Sequence, residues 1–105
     1  PKALQEEHFF VNAEYSLVKV KYADILYIEG LRDYIRIHTK DEKIMVLENM
    51  KDILEKLPLN QFVRIHRSFI IPKNKIKVIE GNQIKMTNGE FLPIGETYRK
   101  LISDW

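Results

Sequence analysis

The chain has 105 residues, 45% hydrophobic and 30% charged, with four glycines, four prolines and no cysteine. That length and balance suit one globular domain rather than two. The missing cysteines exclude disulfides, thiolate catalysis and cysteine-held zinc, no apolar run reaches membrane-spanning length, and no signal peptide is visible, so a cytoplasmic location is expected.

Charge is unevenly spread over a net +2: residues 1–59 hold nine Lys/Arg against eleven Asp/Glu, and residues 60–105 hold eight against four. A basic half fits a surface facing a polyanion, and it fits equally well as solvated charge on ordinary strands.

Along the chain, HFFVN (8–12) and YSLVKV (15–20) read as strands around a turn at Ala13–Glu14, and ILYIE (25–29) runs to Gly30. YIRIHT (34–39) alternates, placing Ile35 and Ile37 on one face and Arg36 and His38 on the other, and IMVLE (44–48) follows a polar turn. The period then changes. Asn49 can cap, Asp52 occupies the third helical position, Ile53, Leu54 and Leu57 form an apolar stripe, and Pro58 stops the run, which predicts a helix over 50–57. Strands resume at FVRIH (62–66), Phe69–Ile71, KIKVIE (75–80), QIKM (83–86) and EFLPI (90–94), punctuated by Gly81–Asn82 and by the hairpin signal Asn88–Gly89. Beyond Gly95, the spacing of Tyr98, Leu101, Ile102 and Trp105 predicts a short C-terminal helix packed back on the domain. The fold class is mostly β: about ten short antiparallel strands in small sheets, one short helix after the fifth strand and a short C-terminal helix.

Catalysis is not expected. The chain has no phosphate-binding glycine loop, no GxSxG and no metal-ligand spacing of its three histidines, so no catalytic residue, metal or cofactor is assigned. His38 and His66 read most simply as half-buried strand histidines whose ring nitrogens meet backbone carbonyls. A helix-turn-helix is not readable, because the 50–57 helix carries Asp52 and Glu55 beside Lys51 and Lys56.

If the chain binds DNA, loops and strand ends must do the reading. Arg32 lies between Gly30 and the strand beginning near Tyr34, and Arg67–Ser68 sits where the alternation of FVRIH breaks. PKNKIK adds Lys73, Lys75 and Lys77, and ETYRK adds Arg99 and Lys100. An arginine fork can bind a guanine edge, whereas a serine hydroxyl or a lysine suits phosphate. For Arg36 and Arg64 the simpler reading is a solvated or ion-paired face residue. The lysines of 73–77 serve equally well as a charged strand edge that blocks aggregation. Arg32, Arg67, Lys75, Arg99 and Lys100 would form one continuous positive ridge, with Tyr34, Ser68 and Thr97 exposed beside them.

Four stretches in order, ADILYIEGLRDYIRIHT (23–39), MKDILEKLP (50–58), FVRIHRSFIIPKNKI (62–76) and NGEFLPIGETYRK (88–100), resemble the LytTR domain, the DNA-binding output domain of bacterial response regulators. The resemblance covers almost the whole chain. It implies loops inserted into successive major grooves of double-stranded DNA, paired direct repeats as operator, self-association on DNA, and an attached receiver domain answering to a sensor histidine kinase. Because no receiver fits in these residues and the chain starts at Pro1, a C-terminal part of a longer regulator is expected.

By position, the family's first reading loop matches Leu31–Tyr34, which contains Arg32 and Asp33. The second matches Arg67, reaching bases, and Ser68, reaching phosphate. The third matches Gly95 to Arg99, including Glu96 and Thr97. Many members carry Ser-Arg where this chain has Gly95–Glu96. A glutamate can accept from a cytosine amino group but repels phosphate. The rival reading is a β-rich protein-interaction or oligomerisation module, with a sugar or small-ligand binding domain as a third.

Overall fold

The structure is a computed structural model and describes residues 7–102. Strands β1 (His8–Ala13) and β2 (Ser16–Lys21) form a hairpin across Glu14–Tyr15, one residue later than expected. Their inward row of Phe9, Val11, Val18 and Val20 packs on the core, while Phe10 and Leu17 face outward. That is the two-residue period of a half-buried hairpin.

The central sheet holds β3 (Ile25–Gly30), β4 (Ile35–Thr39), β5 (Lys43–Val46), β6 (Phe62–His66) and β7 (Phe69–Pro72). They lie in the order β5-β4-β3-β7-β6, every neighbouring pair antiparallel. Helix α1 (Met50–Glu55) is shorter than the predicted 50–57. Its start is as read: the Asn49 carboxamide accepts from the Asp52 amide at 2.8 Å, satisfying one of the amides a helix start leaves unpaired. A third sheet, in the order β10-β9-β8, comprises β8 (Ile76–Glu80), β9 (Gln83–Met86) and β10 (Phe91–Pro93). Its turns use Gly81 at φ +54° and Gly89 at φ +95°, a left-handed conformation costly for residues with a Cβ. A 3₁₀ turn over Glu96–Tyr98 leads into helix α2 (Arg99–Ile102). Trp105, expected to pack with it, lies outside the described residues.

The central sheet buries both faces. Ile28, Ile37, Phe62 and Ile70 join Val11, Val20 and Ile53 on one side, whereas Tyr27, Ile65 and Ile71 join Ile84, Leu92 and Ile102 on the other. This explains why the central strands β3 and β7 read as nearly continuous apolar runs. Tyr27 stacks on His38 with ring centroids 4.1 Å apart and donates to the Glu90 carboxylate at 3.2 Å. Burial, reinforced by that carboxylate, pushes the phenol up to about 12. No helix among the described residues is long and apolar enough to cross a membrane.

Candidate nucleic-acid interface

Two backbone hydrogen bonds assemble three chain segments at one end of the central sheet. The Gly30 amide donates to the Ser68 carbonyl, and the Gly95 amide donates to the Ile65 carbonyl, each at 2.8 Å. The loops 31–34, 67–68 and 95–98 therefore lie side by side, although they are spread over nearly 70 residues of sequence (Leu31 to Tyr98). Arg32, Asp33, Arg67, Glu96 and Thr97 are exposed there, while Tyr34 and Ser68 are half-buried.

Each loop is closed locally. In the first, the Leu31 amide donates to the Tyr34 carbonyl at 2.8 Å. Gly30 enters it so close to α1 that a Cβ would sit 2.8 Å from Met50 Cγ, which fixes the loop against the helix start. In the third, the Tyr98 amide donates back to the Gly95 carbonyl at 3.0 Å.

The second loop is the tightest. Arg64 pairs with Ile70 and His66 with Phe69, so Ile65 is an extra residue in β6. Such a bulge bends a strand and redirects the side chains beyond it. Only Arg67 and Ser68 then connect β6 to β7. The Ser68 amide donates to His66 Nδ1 at 3.0 Å, which places the ring proton on Nε2. His66 thus takes a turn amide rather than meeting the carbonyl expected of it. The His38 ring differs too: its Nε2 meets the Glu29 carboxylate at 3.0 Å, and Arg36 stands 3.7 Å from the same oxygen. Arg36 is ion-paired, as its place on the strand suggested.

The expected ridge through Lys75 is not formed. Lys73 and Lys75 occupy a 3₁₀ turn after β7, beside the start of β3. They sit at the far end of β3 from Gly30, roughly 17 Å along the strand at about 3.3 Å per residue. The Lys75 ammonium donates to the carbonyls of Ala23 at 2.6 Å and Ile25 at 2.8 Å. Burial there lowers its pKa, and the two carbonyls keep the charge solvated. Lys75→Ala is expected to lower stability by about 1.5–3 kcal/mol, the range for hydrogen bonds to a charged group. A denaturant titration reads that loss; a drop in the salt slope of DNA binding with stability unchanged would instead make Lys75 a phosphate contact.

Arg99 is exposed, yet its Nη1 donates to the Gly81 carbonyl and stands 3.3 Å from Asn82 Oδ1. It pins the β8–β9 turn beside the third loop. Lys100 is exposed on α2 one residue further on. Arg64 is the residue sequence reasoning misplaced: it is half-buried, and its guanidinium turns in toward the second and third loops instead of lying on a solvated face. The available signal was its position, an arginine two residues before a histidine at the end of a strand that turns at once.

Three polar loops carried side by side on a strand-built scaffold define a binding module, and among the described residues no group of three or more His, Cys, Asp or Glu could hold a metal ion. Residues 15–105 match the LytTr DNA-binding domain, and the chain belongs to that family. A solved LytTr DNA-binding domain from Bacillus cereus superposes with a TM-score of 0.81 over 95% of this chain and 96% of that one, at 21% identity. The sensory transduction protein LytT of Bacillus subtilis is 31% identical over 90 residues, 81% of this chain but 37% of that protein. The transcriptional regulatory protein YpdB of Escherichia coli K12 is 37% identical over 57 residues, 54% of this chain and 23% of that protein. The chain thus spans well under half the length of these curated relatives.

Proposed function

We propose that this chain reads double-stranded DNA by inserting the loops 31–34, 67–68 and 95–98 into successive major grooves. In this reading it is the output domain of a two-component response regulator that controls transcription in the bacterial cytoplasm. The observation that carries the reading is the pair of backbone hydrogen bonds, Gly30 to Ser68 and Gly95 to Ile65, which hold the three loops as one unit. Side chains presented from such a unit keep a fixed spacing, which sequence-specific readout requires. Arg67 supplies the planar fork for a guanine edge, and Arg32 and Lys100 supply charge for the flanking backbone. A receiver domain, its sensor histidine kinase and pairing of two copies on direct repeats complete the assembly. The names of the LytT and YpdB relatives support regulation as the outcome.

Selection of bound duplexes from a random pool at several salt concentrations tests the reading. Enrichment of a direct-repeat motif is the expected result. Recovery of no sequence preference, with weak binding at low salt only, would favour a protein-interaction module.

Glu96 gives a sharper check, because it is exposed at the start of the third loop, where an anion opposes phosphate. Glu96→Gln is expected to raise affinity for random duplex several-fold at low salt, since removing one unfavourable charge acts through the same electrostatics as adding a phosphate contact. Lost preference at a single C·G pair, without that general gain, would show instead that Glu96 accepts from cytosine.

A further inference from the structure

We propose that Arg64 is a positioning residue that locks the second loop and couples it to the third, so that preference for a DNA site depends on a side chain that does not contact DNA. The inference rests on the DNA-binding reading above. Arg64 Nη2 donates to the Arg67 carbonyl at 2.6 Å, and its Nε donates to the His66 carbonyl at 3.3 Å. The guanidinium carbon also stands 5.7 Å from the centroid of the Tyr98 ring. One planar cation thus holds two successive carbonyls of the β6–β7 turn and reaches the ring of Tyr98, whose backbone amide closes the third loop.

The surroundings leave this arrangement little freedom. The turn is also held by the Ser68 amide on His66 Nδ1, so Arg67 is fixed between two side chains from β6, Arg64 and His66. Gly95 lets the third loop approach: a Cβ there would lie 3.0 Å from Tyr98 Cδ2 and 3.5 Å from His66 Cα. On its other side Arg64 lines a surface cavity with Leu31, Arg32, Asp33 and Met50, next to the first loop. A carbonyl in a tight turn would otherwise be satisfied by water, with several orientations open to the peptide. Fixing two of them to a rigid fork narrows the directions in which Arg67 can project. Lysine cannot replace it, because a single ammonium on a flexible stem matches neither the fork nor the ring face equally well.

The test has a part that needs no DNA and a part that does. In the free protein, Arg64→Lys and Tyr98→Leu are each expected to shift the amide resonances of Arg67, Ser68 and Thr97 and to increase their fast motion, while Tyr98→Phe leaves them in place. On DNA, Arg64→Gln should reduce the ratio of specific to random-duplex affinity about tenfold, the worth of hydrogen bonds to a charged group expressed as affinity. Its salt slope should stay at the wild-type value. In a chain already carrying Arg67→Ala, the same change should cost little, because the residue it positions is gone.

A salt slope lower by about one would make Arg64 a phosphate contact and overturn the proposal. Equal weakening on specific and random duplex, or unmoved amides in Arg64→Lys and Tyr98→Leu, would overturn it as well. Absence of DNA binding by the unmodified chain would sink the functional reading, while the amide shifts would still show whether the loops are coupled.

Discussion

Arg67→Ala is expected to weaken binding to the selected duplex by about 1–3 kcal/mol, and to relax preference at one or two base pairs. The basis is positional. Arg67 is exposed on a connection of only two residues, and the carbonyls on either side of its Cα are engaged by protein groups: that of His66 and its own by Arg64. With those carbonyls held, the exposed Arg67 side chain is left to face a ligand. A guanidinium directed at a base edge contributes through geometry, so random duplex should lose much less affinity than the selected site. Titrations of both duplexes at two salt concentrations read the difference. Equal losses, together with a smaller salt slope, would reduce Arg67 to a backbone contact.

Ile70→Ala should cost about 2–5 kcal/mol of stability, as removing a large aliphatic side chain from a packed core does. Ile70 is fully buried in the middle of the central sheet, paired with Ile28 on β3 and Arg64 on β6. For a domain whose total stability is on the order of 5–15 kcal/mol, such a loss is a large share. A denaturant melt checks it. A change below about 1 kcal/mol would mean that the site collapses around the missing side chain. Because β7 carries the second loop at its start, the folded fraction of this variant should also show faster exchange of the Ser68 amide than the parent chain.

Much of the fold was legible in the chain. The alternation in 34–39, the capped helix from Asn49 and the turn glycines at 81 and 89 are local signals, and each element formed within a residue or two of its expected bounds. The three loop positions carried over from the LytTR resemblance also proved to be neighbours. Lys75 and Arg64 show where such reading stops. Both are basic residues in basic stretches, and nothing within a few positions separates a solvated charge from an engaged one. Lys75 turned inward to carbonyls 50 and 52 residues earlier. Alternation places Arg64 on a strand face, and the bulge at Ile65 breaks that alternation within one residue of it.

Short antiparallel strands, a capped helix and a tight turn at Arg67–Ser68 are written in the chain itself, because they follow from backbone preferences and hydrophobic period within a few residues. Which cations stay turned toward a polyanion depends on long-range packing. An ammonium or guanidinium goes to whichever carbonyls and rings the fold brings within reach, and those partners are set by how β3, β7 and the last strands pack together.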